Sequence, residues 1–237
     1  MKKILINYAE GAYLHSQKVN SESGRSLGGF TDVIEFNRSR LQPEFVEDNI
    51  NIFSRTRGAG YWLWKPYIIL KTLESASEDD LIFYCDSGAS FVGSFDDYMF
   101  DLCRDDEKGL VLCNGAHVNK KYTKRDCFIL MDCDTPEYTD MLQLTATFQL
   151  CRKTDFTLDF YREHVSYAQD YRIITDDENT CGEENYEDFI EHRHDQSILS
   201  NLQKRHSVTM VEDISQYGNQ VREKDFKQLI NHHRSKY

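Results

Sequence analysis

The chain has 237 residues, 40% of them hydrophobic and 29% charged, with a formal net charge of −12. That length buries a real core as one large domain or two small ones, and three prolines with no Gly/Ser-rich linker favour one domain over 1–237. The negative charge argues against a general nucleic-acid binder, because nothing offsets phosphate repulsion.

The first element in chain order is a buried strand over 3–9. It ends at Asn7-Tyr8-Ala9-Glu10-Gly11, a turn where a nucleotide can dock. The opening run Met1-Lys2-Lys3-Ile4-Leu5-Ile6 is too short for a signal peptide, and no segment has the length to span a bilayer. Ser16 to Phe30 is polar and glycine-containing, so a long surface loop is expected. Pro43 opens a helix through about Phe53, with Phe45, Val46, Ile50 and Phe53 on one face.

Arg55 to Leu70 holds both tryptophans, Trp62 and Trp64. Pro66 suits the first turn of a helix to about Ala76, with Ile69, Leu70 and Leu73 facing inward. Arg55, Arg57, the glycine pair Gly58 and Gly60, and Lys65 at a helix start suit a diphosphate. The two tryptophans read first as anchors that pack the helix on the sheet. Leu81-Ile82-Phe83-Tyr84-Cys85 then runs unbroken into Asp86-Ser87-Gly88. An apolar run of that kind reads as a strand buried on both faces of a sheet. Asp86 falls at its carboxyl end, where open α/β sheets bind ligands, and Ser87 and Gly88 let the backbone turn and a ligand come close.

Ser94 caps a helix expected through Arg104, and 109–114 reads as another strand. The charged triplet Lys124-Arg125-Asp126 follows. Thr145, Thr147 and Gln149 alternate with apolar neighbours, which gives a strand over 144–152. Thr154 caps a long helix from about Phe156 to Asp170, with Phe160, Val165 and Tyr167 inward. Residues 176–191 hold eight carboxylates and read as a solvated loop. Next comes His192-Arg193-His194-Asp195-Gln196, with 197–202 helical. Asp195 and Gln196 therefore sit at a helix N-terminus, where the dipole lowers a carboxylate's pKa. An aspartate there caps the helix or, beside histidines and an arginine, serves catalysis. The end of the chain, with His232, His233, Arg234 and Lys236, is basic after an acidic body. Seven scattered cysteines with no CxxC pair point to free thiols in a reducing compartment, hence a soluble cytoplasmic protein.

The stretch Gly58-Ala59-Gly60-Tyr61-Trp62-Leu63-Trp64-Lys65-Pro66-Tyr67, followed by Tyr84-Cys85-Asp86-Ser87-Gly88, resembles a family of nucleotide-sugar glycosyltransferases found in bacteria and large DNA viruses, in capsule or surface-glycan synthesis. The resemblance implies a single GT-A domain of α/β class, a Rossmann-like mixed central sheet flanked by helices. About 1–114 would bind the nucleotide and about 115–237 the acceptor. It implies transfer of a sugar from a nucleotide-diphosphate donor, UDP-linked by preference, to a carbohydrate or glycoprotein-glycan acceptor, assisted by Mn²⁺ or Mg²⁺. Donor contacts would come from Asn7, Tyr8, Ala9, Arg57, Tyr61, Lys65, Asp86, Ser87, Gly88 and Arg234. Metal ligands would be Asp86 and His233, or His232 in its place. Asp195 and Gln196 match the Asp-Gln pair aimed at the acceptor and the anomeric carbon. One departure is plain: Gly88 stands where the Asp-x-Asp motif has its second aspartate. Two alternatives stay open, a metal-dependent phosphoesterase acting on sugar nucleotides and a non-catalytic carbohydrate-binding protein.

Overall fold

The computed structural model describes residues 1–215 and 227–235. Eight strands form: β1 (Lys3–Tyr8), β2 (Asp32–Phe36), β3 (Leu81–Cys85), β4 (Ser90–Phe91), β5 (Leu110–Val118), β6 (Leu142–Arg152), β7 (Thr209–Val211) and β8 (Ile230–Asn231). Six of them make one sheet in the order β2-β1-β3-β6-β5-β7, while β4 and β8 pair separately. β6 runs antiparallel to both of its neighbours, and the other pairs are parallel, so the sheet is mixed.

Both faces of the sheet are covered, which is why β1 and β3 are apolar without alternation. On one face Ile4, Ile6, Ile82 and Tyr84 pack against three helices. These are Trp64–Ser75 through Ile68, Ile69 and Leu73, Asp155–Ala168 through Phe160 and Val165, and His194–His206 through Ile198, Leu199 and Leu202. On the other face Leu5, Phe83 and Cys85 meet Phe30, Phe91, Phe95, Phe100, Leu229 and Ile230. Each fully buried side chain of this size contributes roughly 2 kcal/mol of apolar burial. Among the described residues no helix is long and apolar enough to cross a membrane.

Several expectations need correction. Residues 16–30 are not a loop. Leu14–Ser23 is a helix, followed by one wide turn at Gly24–Gly28. Its buried face is Ser16, Gln17, Asn20 and Ser21, so no apolar stripe announces it. Those side chains bond inward instead: Gln17 Nε2 donates to Phe36 O at 2.9 Å and Asn20 Nδ2 to Ala89 O at 2.8 Å. The Pro43 helix breaks at Asn49 into Pro43–Asp48 and Ile50–Phe53. Ser94 caps only the short turn Phe95–Asp97, and the helix behind it is Met99–Asp105. β2, β4, β7 and β8 were not foreseen; their residues are half-buried or their runs very short. Thr154 does cap the Asp155–Ala168 helix, through a reciprocal pair of bonds with Thr157.

Candidate active site

A cleft of about 950 Å³ opens at the carboxyl ends of β1 and β3. Tyr8 and Ala9 lie on one wall, and Tyr84, Asp86, Ser87 and Gly88 on the floor. Trp62 and Trp64 close one side, and Thr147, His232 and Arg234 the other. The Ser87 hydroxyl donates to Tyr8 O at 2.7 Å and ties the two strand ends together.

Asp86 is held from three directions. The Tyr84 hydroxyl donates to Oδ1, Thr147 Oγ1 donates to Oδ2 at 3.1 Å, and Lys65 Nζ stands 3.4 Å from Oδ1. Burial and the Asp86 charge push the Tyr84 phenol well above its usual pKa, so it stays a donor. The Lys65 ammonium is also 2.9 Å from Asp195 Oδ2. Both of those side chains are about 95% buried, at 4% and 5% exposure, whereas Asp86 is 30% exposed toward the cleft. One buried cation therefore joins a carboxylate on the cleft floor to a carboxylate in the first turn of the His194–His206 helix.

Burial alone would lower the Lys65 pKa, but Asp195 and Asp86 outweigh it and hold the ammonium charged. Burial pushes Asp195 up to about 6. Lys65 opposes the rise and the Asp86 charge adds to it. The low pKa expected from a helix N-terminus is thus overturned, because desolvation exceeds the dipole. Nor does Asp195 cap the helix: Arg193 occupies the cap position, with no side-chain cap bond. His164 from the Asp155–Ala168 helix lies behind this pair. It is fully buried, neither ring nitrogen makes an aligned hydrogen bond among the described residues, and burial with the Lys65 charge lowers its pKa to about 3.

The wall bearing the tryptophans has an unusual backbone. Gly58, Ala59, Gly60, Tyr61 and Trp62 all have positive φ, from 50° to 100°. Left-handed conformation costs a non-glycine residue about 1 kcal/mol or more, so the surroundings must impose it. Arg38 does so by donating to Phe53 O at 3.1 Å and Ala59 O at 3.0 Å, and Trp64 Nε1 by donating to Gly58 O at 2.9 Å. Trp64 also stacks on Tyr8 at 3.8 Å between centroids. Gly60 is required, since a Cβ there would meet Phe53 Cα at 3.1 Å.

The sequence-derived residues sort into three groups. Tyr8, Ala9, Asp86, Ser87, Gly88 and Arg234 line the cleft, and Lys65 and Asp195 sit just behind its floor. Asn7 does not reach it. Asn7 is fully buried and bonds to Asn20, Ser21 and Gln17. Tyr61 is buried 4.7 Å from the His194 ring, and Arg57 is bound by Asp176 and Glu191; neither lines the cleft. Gln196 is occupied at both ends, its Nε2 donating to Gln143 Oε1 at 2.9 Å and its Oε1 accepting from Ala146 N at 3.3 Å. Of the tail histidines His232 lines the cleft and His233 does not. Lys236 lies outside the described residues. Lys124 and Asp126 are structural. Asp126 accepts from Thr180 N and Cys181 N, and Lys124 Nζ donates to Asp177 O, so the acidic segment is docked rather than loose.

Sequence reading missed Arg38, Thr147 and the cleft side of Trp62 and Trp64. Thr147 carries no signal beyond strand alternation. Gly88 now has a reason: a Cβ there would meet Arg234 Cα at 3.1 Å, and Arg234 N donates to Gly88 O at 2.8 Å. The tail backbone occupies the space a second aspartate would need.

Among the described residues Asp86 and Glu10 are the carboxylates that line the cleft, and Glu10 is bound by Tyr8 and Arg38. The Asp86 oxygens retain lone pairs, and His232 offers an imidazole on the facing wall. Among the described residues no three His, Cys, Asp or Glu side chains form a metal-binding group. The lining thus offers Asp86 and His232 as candidate donors to a cation, short of a three-residue group.

No family model matches the sequence, and no curated protein matches it. Solved structures do match the fold. Mouse xyloside xylosyltransferase 1 in its apo form aligns with a TM-score of 0.55 at 9% identity, over 98% of this chain and 97% of that one. The galactosyltransferase LgtC, solved with donor and acceptor sugar analogs, gives 0.50 at 14% identity over 97% and 86%, and an active-site mutant of LgtC gives 0.53 at 13%. At such identities the likeness is one of fold: a mixed six-stranded sheet flanked by helices, in the architecture of GT-A glycosyltransferases.

Proposed function

We propose that the chain transfers a sugar from a nucleotide-diphosphate donor to a hydroxyl of a carbohydrate or glycoprotein-glycan acceptor. The observation that carries this reading is the buried Lys65 shared by Asp86 and Asp195. It sets a cleft-floor carboxylate and a buried carboxylate side by side in a GT-A framework. The donor diphosphate enters over Asp86, beside Arg234, whose exposed guanidinium has no ion-pair partner among the described residues. UDP is the favoured nucleotide, with Tyr8 and Ala9 on its side of the cleft. Asp86 and His232 would hold a Mn²⁺ or Mg²⁺, which would supply positive charge toward the diphosphate.

Asp195 takes the acceptor proton. With a pKa near 6 it is ionised at neutral pH, yet more basic than an exposed carboxylate. Lys65 holds it in place. That assignment corresponds to inversion at the anomeric carbon; with retention, Asp195 would orient the sugar. Gln196 acts through position, fixing β6 to the helix that carries Asp195. The division into a donor half over 1–114 and an acceptor half over 115–237 belongs to this reading, with Thr147, His232 and Arg234 crossing into the donor side. So does a cytoplasmic setting, in keeping with seven cysteines that form no disulfide.

A melting-temperature screen of UDP-, GDP-, CMP- and dTDP-sugars with and without Mn²⁺ tests the proposal, since a ligand selective for the folded state raises the midpoint. A shift with a UDP-sugar is the expected result. Binding of no nucleotide would favour a carbohydrate-binding protein, and release of inorganic phosphate without acceptor a phosphoesterase.

A further inference from the structure

Two arginines stand where the left-handed wall begins, and only Arg55 lines the cleft. Each is held by the acidic segment that precedes Asp195. Arg55 Nη2 is 3.0 Å from Asp177 Oδ2, and Arg57 is 3.1 Å from Asp176 and 3.3 Å from Glu191. The Arg55–Asp177 pair is open to water, with exposures of 48% and 39%. The body of the acidic segment is fastened elsewhere. Asp126 accepts from Thr180 N and Cys181 N, Arg125 N donates to Asn185, and the Tyr186 hydroxyl donates to Asp134. The segment therefore keeps its place whether or not Arg55 is bound to it.

An exposed ion pair of this kind contributes little, because water and salt screen it. A guanidinium facing a phosphate gains charge-assisted bonds in a matching planar geometry. We propose that Arg55 is a phosphate-binding residue of the cleft, and that Asp177 is the anion it gives up when a nucleoside diphosphate enters. The carboxylate holds the guanidinium at the rim until phosphate replaces it. Arg57 has two carboxylates and no place in the lining, so it stays with the acidic segment. The exchange rests on the donor reading of the cleft.

Calorimetric titration of UDP at low salt tests it, with wild type, Asp177→Asn and Arg55→Gln compared. Asparagine keeps the shape of Asp177 and leaves its main-chain bonds to Thr175 and Lys124 intact. Removing the competing charge tightens UDP about threefold, and removing the guanidinium weakens it about tenfold. The gain in Asp177→Asn shrinks at high salt. Unchanged or weaker UDP binding by Asp177→Asn overturns the exchange, as does unchanged binding by a folded Arg55→Gln. A wild-type protein that binds neither UDP nor any other of the nucleotides sinks the donor reading instead. Inorganic pyrophosphate then takes its place as probe: the same ranking of the three proteins supports Arg55 as an anion site, and equal affinities overturn it.

Discussion

Lys65 decides how two carboxylates share one buried space. Without the ammonium, Asp86 and Asp195 would face each other through a medium that screens poorly. Lys65→Met should lower unfolding free energy by ~3–5 kcal/mol at neutral pH, as for other buried pairs that lose one partner. In urea titrations that loss should shrink in acid, where the carboxylates become neutral; a loss independent of pH would mean that Lys65 acts by packing alone. Asp195 makes a second prediction. Its folded pKa, about 6, lies above the ordinary 3.8, so the folded state binds this proton more tightly. Stability from that group is fully present below pH 3.8 and lost as pH rises through about 6. Catalysis runs the opposite way, because a base must be ionised. Turnover should fall as pH drops through about 6, and Asp195→Asn should cost roughly 10²-fold or more in turnover with donor affinity nearly unchanged. An asparagine variant that transfers sugar normally, or a profile flat across pH 6, removes Asp195 from the chemistry. Asp86 and Asp195 were legible because each ends an apolar run or starts a helix beside charged neighbours. Which arginine lines the cleft was not: Arg55 and Arg57 are two residues apart, and only the turn that follows directs one inward.

Among the elements, β1 and β3 were readable for the same reason that they are central. Covering both faces leaves no polar alternation, and the unbroken runs Leu81–Cys85 in β3 and Ile4-Leu5-Ile6 in β1 show it. The Leu14–Ser23 helix was unreadable because its buried side is built from hydroxyls and amides. Hydrophobic period finds helices that pack on oil, not helices that pack on hydrogen bonds. The Gly58–Trp62 wall lay beyond sequence reasoning in another way. Two glycines signalled a turn, but Ala59, Tyr61 and Trp62 share their left-handed backbone without being glycine. That strain yields a third prediction. Ala59→Gly should raise stability by up to ~1 kcal/mol, the relief at φ 52° exceeding the added freedom of the unfolded chain. Equal melting temperatures would show that Ala59 is unstrained where it stands.

Across the whole molecule the site is assembled from distant parts of the chain. Residues near 8, 62, 86, 147 and 232 meet at one cleft, and Asp195 reaches its floor from behind. The sequence revealed the pieces near 8, 86 and 232 but not those near 62 and 147, nor the order of any around the cavity, since that depends on the strand order of the sheet. Removing residues 232–237 should leave the sheet intact and weaken UDP by about tenfold or more, the worth of a charge-assisted contact to phosphate. Unchanged UDP affinity in the folded truncation would confine the tail to packing.

The seat of Arg234 against Gly88 also bears on how the protein comes into being. The ribosome has made Tyr8, Trp64 and Asp86 long before it reaches the residues that close the cleft over them. β8, which carries the tail to its place, pairs with β4 across more than half the sequence. A nascent chain can thus complete most of its sheet while one wall of the cleft is still unmade. That wall of the cleft would wait for Arg234 to be made, and a chain cut just before it would keep its sheet with the cleft open on that side.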